Sequence, residues 1–212
     1  MRDPSLLLAL HSSSETLGVG LQSASAAPEL AAFPLGRQLS NDLLPCVEEL
    51  LPAEQWPRLG RIVVATGPGG FTGTRLTVVL ARTLAQQLTI PLHGFSSFLL
   101  MARRRWAVEP WLEGQRLWLQ QPLPRRGVVA GAYARDPKAL GGVVEVQEPR
   151  LFRPGETWPG DGSGPDLCAD AEVQPEADVL QLLELGSLAA SLDLAGPWEP
   201  VLPLYPTSPV ES

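Results

Sequence analysis

The chain has 212 residues, of which 44% are hydrophobic, and this is enough for one large domain or two small lobes. Its formal net charge of −7 argues against tight, independent binding to nucleic acid. Cys46 and Cys168 are too few and too far apart for a disulfide framework or a zinc site. The sequence shows neither a signal-peptide pattern nor an apolar run long enough to span a bilayer, so we expect a cytoplasmic protein.

The first half of the chain predicts an α/β lobe that begins with a β-meander. In chain order the predicted elements are strands at 5–10, 16–21 and 29–35, a helix at 40–51, a strand at 62–65, a helix at 76–88, a strand at 90–95 and a helix at 98–101. Pro45 lies inside the first predicted helix. It is tolerated there if Asn41 or Asp42 caps the helix, because the missing N–H then falls in the first turn.

The second half of the chain is richer in strands and loops. The predicted elements are strands at 117–119, 128–133 and 142–146, a long loop at 153–175, a helix at 177–192 and an extended, proline-rich tail at 196–212. We therefore predict an N-terminal lobe at 1–104 and a smaller C-terminal lobe at 105–212.

The run from Ala65 to Arg75 contains four glycines between a predicted strand and a predicted helix. A helix start of this kind exposes unpaired N–H groups that can bind an anion. The run does not match a Walker A loop, because the only lysine in the chain is Lys138, and Thr72 replaces the third glycine of a dinucleotide fingerprint. Two interpretations stay open here: a phosphate-binding loop, or a sharp turn that needs close backbone packing.

The glycine run and the segment Ile90 to Ser97 resemble the TsaB (YeaZ) family of tRNA threonylcarbamoyladenosine biosynthesis proteins. The helix at 40–51 and the motif Leu204-Tyr205-Pro206 also resemble that family. The resemblance implies an α/β, two-lobed actin-like fold of the ASKHA, ribonuclease H-like type. It further implies a non-catalytic subunit that binds and activates a TsaD-type threonylcarbamoyltransferase.

The resemblance also implies how the chain assembles. It predicts a heterodimer with a TsaD-type subunit, joined by a TsaE-type ATPase, with tRNA contacted only indirectly. It implies no catalytic residue, metal or cofactor, and a homodimer of the isolated chain stays open. The residues implied for the partner interface are Leu43, Leu44, Val47, Leu51, Arg75, Val79, Arg82 and Thr83. The glycine loop, as a vestigial phosphate loop, comprises Gly67, Gly69, Gly70, Thr72 and Gly73.

Two enzymatic alternatives compete with this interpretation. An actin-like kinase or ATPase needs an acidic metal ligand in its first turn, and the segment from His11 to Ser14 contains none. Such an enzyme also needs a second phosphate loop, for which residues 161–164 are the one candidate. A metallopeptidase is rejected, because the only histidines, His11 and His93, lie in separate segments.

The clusters Arg103–Arg105 and Arg125–Arg126 are interpreted as solvated surface.

Overall fold

The computed structural model describes residues 6–23, 26–109, 113–160 and 166–206. These residues form two compact units. The first comprises the described part of Met1–Ser97 together with Val173–Leu204, and the second comprises the described parts of Phe98–Glu172 and Tyr205–Ser212. Each unit contains a mixed β-sheet with helices, as the α/β prediction requires.

The first unit is built on a five-stranded sheet in the order β3-β2-β1-β4-β5. Its elements are β1 (Leu6–His11), β2 (Leu17–Ser23), β3 (Glu29–Phe33), α1 (Leu39–Leu50), β4 (Leu59–Ala65), α2 (Phe71–Leu88) and β5 (Leu92–Phe95). The first three strands pair antiparallel, and β1, β4 and β5 pair parallel. The predicted meander and the alternation of strand and helix are confirmed.

Helices cover both faces of this sheet, which explains why β1 is apolar at every position before its terminal histidine. Leu8 and Leu10 on β1 belong to one core cluster with Val47 of α1 and Val78 of α2. Leu7 points to the other face, where it contacts the last helix, α4 (Pro175–Ser191).

The packing of α4 differs from the predicted linear division of the chain into lobes at 1–104 and 105–212. That prediction placed the helix in the C-terminal lobe, whereas it lies on the sheet of the first unit. The fit depends on glycines: a β-carbon at Gly20 would lie 2.4 Å from Val179, and one at Gly186 would lie 2.8 Å from Val63. Hydrophobic periodicity shows that a helix has an apolar face, but not which sheet that face covers.

The second unit contains a four-stranded sheet in the order β8-β7-β6-β9. Its elements are most of α3 (Ser97–Val108), β6 (Arg116–Leu123), β7 (Gly127–Arg135), β8 (Val143–Phe152) and β9 (Leu167–Asp170). The core contains Trp118, Phe152 and Trp158, with ring centroids 5.2 to 6.1 Å apart. The strand β9 lies inside the region predicted as a loop, and it pairs parallel with β6.

The start of α1 also differs from the prediction. The helix begins at Leu39, its N-cap is Gln38, and no side chain caps it, so neither Asn41 nor Asp42 has the predicted role. A short 3-10 turn at Gly36–Gln38 leads directly into the helix and moves its start upstream. Pro45 therefore lies in the helix interior, on its exposed side.

Helix α3 continues to Val108, beyond the predicted end at Met101. Within the described residues, no helix combines the length and the apolar character needed to cross a membrane. Residues 161–164, the candidate second phosphate loop, and residues 207–212 of the predicted tail lie outside the described residues.

Candidate functional site

The glycine loop packs directly on the turn between β1 and β2. The Gly70 N–H donates a hydrogen bond to the Ser13 carbonyl at 2.8 Å. A β-carbon at Gly69 would lie 2.3 Å from that same carbonyl oxygen, and one at Gly73 would lie 2.7 Å from the Ser12 carbonyl. Real β-carbons do not approach other atoms so closely. These two glycines therefore permit backbone to pass against backbone.

Two carbonyl groups of the loop accept hydrogen bonds from within the protein. The Ser97 N–H donates to the Gly67 carbonyl at 2.6 Å, and the Thr74 N–H donates to the Gly70 carbonyl at 3.0 Å. Gly67 has a φ of 97°, which side-chain-bearing residues rarely adopt. The loop is thus tied to the β1–β2 turn on one side and to the start of α3 on the other.

Buried hydroxyl groups join the turn to the helices behind it. The Ser12 Oγ lies 2.7 Å from the Thr77 Oγ1 on α2, and the Ser13 Oγ lies 2.5 Å from the Ser97 Oγ. All four residues are buried, as is His11 at the end of β1. Because the hydroxyl groups pair with one another, this part of the site holds the turn in place.

A cleft of about 440 Å³ lies beside this contact. It is lined by the first residues of α1 and α2 and by the β1–β2 turn, namely Ser14, Glu15, Gly36, Arg37, Leu39, Ser40, Gly70, Phe71, Thr72 and Gly73. The lining carries one acidic and one basic side chain, Glu15 and Arg37. Thr72 is exposed at the start of α2.

Three residues predicted for the partner interface are buried in the protein's own core, whereas that prediction needs them at the surface. Leu43 is 8% exposed, and Val47 and Leu51 are fully buried. All three belong to the hydrophobic core of the first unit. They lie on the inner face of α1 and just beyond its end, so they contact the protein's own sheet. An apolar helical stripe more often covers a core than a partner.

Four of the other predicted interface residues are exposed, and the fifth, Arg82, contacts the C-terminal segment of the chain. The side chain of Val79 is 52% exposed near the middle of α2, and that of Leu44 is 41% exposed on α1. Arg75 and Thr83 are also exposed. The Thr83 hydroxyl donates to the Val79 carbonyl at 2.9 Å, a bond within the helix that leaves the Val79 side chain uncovered.

Arg82 binds the C-terminal segment of the chain itself. Its guanidinium donates to the Val201 carbonyl at 2.9 Å and lies 5.2 Å from the centroid of the Trp198 ring. Further on, the Leu204 N–H donates to the Thr66 carbonyl at 2.7 Å, next to the glycine loop. The proline-rich composition of this segment predicted an extended tail, but no sequence signal indicated that it returns to α2.

A second contact holds the C-terminal segment to the edge of the sheet. The Arg61 guanidinium donates to the Nε2 atom of His93 and, at 3.2 Å, to the Leu194 carbonyl. The Leu92 N–H donates to the Gly196 carbonyl at 2.8 Å. Burial, and then the neighbouring Arg61 charge, lower the pKa of His93 from 6.5 to about 4. His93 is therefore neutral in the folded protein near pH 7, as an acceptor from arginine must be.

We expect acid to weaken the fold through His93. Between pH 6.5 and about 4 the unfolded chain binds a proton that the folded chain excludes, so stability falls as the pH falls through this range. The contribution lost is on the order of 1 to 2 kcal/mol, reduced because the ring is partly solvated. Urea unfolding at pH 7.0 and pH 4.5 measures it. The difference between the two pH values should shrink in His93→Gln, and an unchanged difference would contradict this assignment.

The arginine cluster on α3 has local structural roles. The Arg103 Nε donates to the Gly141 carbonyl at 3.1 Å, and Arg104 donates to the Glu172 carbonyl at 2.6 Å. Arg105 forms a bidentate pair with Glu109 one helical turn later. The three side chains are half-buried. Hydrogen bonds hold them in place, whereas the sequence predicted side chains surrounded by solvent.

The N-terminal half of the chain is similar in sequence to known proteins. Residues 26–111 match the family model described as TsaD, tRNA N6-adenosine threonylcarbamoyltransferase. The chain is 38% identical over 98 residues to the tRNA threonylcarbamoyladenosine biosynthesis protein TsaB of Bacillus subtilis, covering 45% of this chain and 43% of that protein. It is 35% identical over 48 residues to TsaB of Buchnera aphidicola, covering 23% of each. The matched segments thus span less than half of either relative.

Solved structures extend the likeness of fold to nearly the whole chain. A Pseudomonas aeruginosa protein described as similar to the peptidase YeaZ matches with a TM-score of 0.71 and 23% identity, over 96% of this chain and 100% of that one. YeaZ from the same organism matches with a TM-score of 0.70 and 23% identity, over 95% and 99%. The predicted α/β, two-lobed actin-like fold is confirmed. In part of its N-terminal half the chain is therefore similar in sequence to TsaB proteins and to the TsaD family model, and across nearly its whole length it is similar in fold to YeaZ.

Proposed function

We propose that the chain takes part in tRNA threonylcarbamoyladenosine biosynthesis as a non-catalytic subunit that binds and activates a TsaD-type threonylcarbamoyltransferase. The names of its curated relatives support the pathway, and the TsaD family match supports a relationship to the enzyme. In this proposal a TsaE-type ATPase joins the heterodimer. The chain contributes affinity for one state of its partner and thereby raises the population of that state.

The observation that carries the partner role is the exposed apolar surface on α1 and α2. These two helices pack against each other, and each presents one large aliphatic side chain to solvent, Leu44 and Val79. Covering such a side chain contributes about 1 to 2 kcal/mol to binding when the contact is well packed. Arg75 and Thr83 on α2 provide polar groups around Val79, which is the usual anatomy of an interface.

The packing of the glycine loop supports a role without phosphate chemistry. In an actin-like enzyme the first turn and the metal it binds face the nucleotide phosphates. Here that turn contacts Gly69 and Gly73 directly, and the Gly70 N–H is hydrogen-bonded to Ser13. The turn itself carries His11 and serines where a hard oxygen ligand for magnesium is needed.

Co-purification tests the proposal. The chain and the TsaD-type subunit from the same organism are expressed together, with a tag on one, and the complex is measured by size-exclusion chromatography with light scattering. We expect a stable heterodimer, to which the TsaE-type ATPase adds when ATP is present. If the two proteins elute separately at micromolar concentration, the proposed function is wrong. Magnesium-dependent ATP turnover by the chain alone, lost on substituting His11, would also contradict it.

A further inference from the structure

One end of the second unit's sheet carries a group of exposed arginines, although the chain as a whole is acidic. The β6–β7 turn places Arg125 and Arg126 beyond the last paired residues, Leu123 and Gly127. Arg150 and Arg153 lie at the end of the neighbouring strand β8. We call these four residues, Arg125, Arg126, Arg150 and Arg153, the basic end. All four are exposed.

The turn and the end of β8 are held close together. A β-carbon at Gly127 would lie 1.9 Å from the Phe152 carbonyl oxygen and 3.0 Å from the Arg153 Cα. Gly127 has a φ of 114°, so only glycine fits both the space and the backbone conformation. This contact places the residue before it, Arg126, next to Arg153. The arginines of the turn and of β8 therefore form a single surface.

One arginine of the basic end is fixed in position. The Arg150 guanidinium lies 3.7 Å from the centroid of the Phe152 ring and 2.9 Å from a carboxylate oxygen of Glu156. A hydrogen bond from the Arg153 N–H, followed by the Arg150 side chain, lowers the pKa of Glu156. Four guanidinium groups thus belong to this end of the sheet, and that of Arg150 is paired with Glu156.

The backbone of Arg125 is the most informative feature. Its φ is 65°, in the left-handed region where glycine or asparagine is favoured. A turn selected for stability alone would place glycine there. A long cationic side chain at such a position indicates that the side chain itself has a function.

We propose that the basic end contacts the phosphate backbone of RNA, and this inference rests on the proposed function in tRNA modification. Arginine binds phosphate through paired N–H donors. Because exposed aromatic rings do not accompany these arginines among the described residues, the contact reads phosphates and carries no base specificity. With a net charge of −7, the chain binds RNA weakly alone and adds this contact to those of its partner. A direct contact replaces the indirect one implied by the family resemblance.

The test compares two double variants of the full chain. Arg125→Gly with Arg126→Ser removes two charges from the basic end. Arg135→Ser with Lys138→Ser removes two exposed charges at the opposite end of the same sheet. Binding of a tRNA that reads codons starting with A is measured at several salt concentrations, for the chain alone and with the TsaD-type subunit.

We expect the first variant to bind tRNA about ten-fold more weakly at low salt. The slope of log affinity against log salt concentration should become shallower by about 1 to 2. Its melting temperature should be unchanged or higher by about 2 °C, because glycine relieves the left-handed position. The control variant should bind tRNA as the wild type does. Equal binding by wild type and the first variant, or equal loss in both variants, would overturn the inference.

The two proposals can fail separately. If the TsaD-type subunit does not bind the chain, the proposed function is wrong, but the chain-alone titration still decides whether the basic end binds RNA. If the complex forms and the first variant retains full tRNA affinity, the inference about the basic end is wrong and the partner role stands.

Discussion

Replacing Gly69 with alanine is expected to destabilise the first unit by about 3 kcal/mol or more. The new β-carbon would lie within 2.3 to 2.6 Å of three atoms of Ser13, two of them in the backbone. Neither the turn nor the loop can move easily, because the Gly70 N–H and the Ser97 N–H tie the loop to its surroundings. Urea unfolding followed by circular dichroism measures the loss.

Gly70→Ala is the matched control for this prediction. Gly70 is the adjacent residue in the same loop, yet a β-carbon there would be 3.9 Å from its nearest neighbour. Its φ of −57° suits alanine, so we expect a change within about 0.5 kcal/mol. If Gly70→Ala were as destabilising as Gly69→Ala, or if Gly69→Ala were neutral, close packing on the turn would not explain the glycines.

Replacing Val79 with arginine is expected to weaken binding to the TsaD-type subunit at least ten-fold while leaving the fold intact. The side chain is already 52% exposed, so a longer polar side chain extends into solvent in the free protein. In the complex it would place an unpaired charge at an apolar contact, which costs about 2 kcal/mol or more. Isothermal titration of the two purified subunits measures the change in Kd.

Val146→Arg is the control for the interface prediction. Val146 is 48% exposed on β8 of the second unit, so the substitution adds the same charge at a similar exposure on an element that is not part of the predicted interface. We expect its Kd to equal that of the wild type. An equal loss of affinity in both variants would indicate a general effect of charge, and no loss in Val79→Arg would remove α2 from the interface.

The order of elements in the first unit could be predicted because its local signals agree with its packing. Residues 6–10 of β1 and 62–65 of β4 are continuous apolar runs, and α2 follows a glycine-rich turn with helical periodicity. The short strand β9 could not be predicted. Its four residues alternate weakly within a polar region, and its pairing with β6 is a long-range contact.

The sequence predicted that the helices of the candidate site have apolar faces, but not whether each face meets the core or the solvent. Periodicity placed Leu43 and Val47 on one face of α1, but a core and a partner both need an apolar face, and the structure assigns that face to the core. Leu44 lies off that face of α1 and is exposed, and Val79 is exposed on α2. The contact of Arg82 with Trp198 and Val201 joins positions more than a hundred residues apart, so no local pattern could show it.

What lies opposite the glycine loop could not be predicted from the sequence either. Its residues were compatible with a phosphate cradle and with a tight turn, and the two differ only in what lies opposite the loop. The structure places the carbonyls of Ser12 and Ser13 there. The spacing of glycines in a sequence does not record which backbone passes over them.

In the proposed function, the chain acts by binding its partner. The most direct measurement is the initial rate of tRNA threonylcarbamoylation by the TsaD-type and TsaE-type subunits as the concentration of this chain is raised. We predict a rate that saturates with the Kd of the heterodimer, shifts to higher concentration in Val79→Arg and is unchanged in Gly70→Ala. A rate independent of the chain, or one abolished by Gly70→Ala while the heterodimer still forms, would contradict the claim.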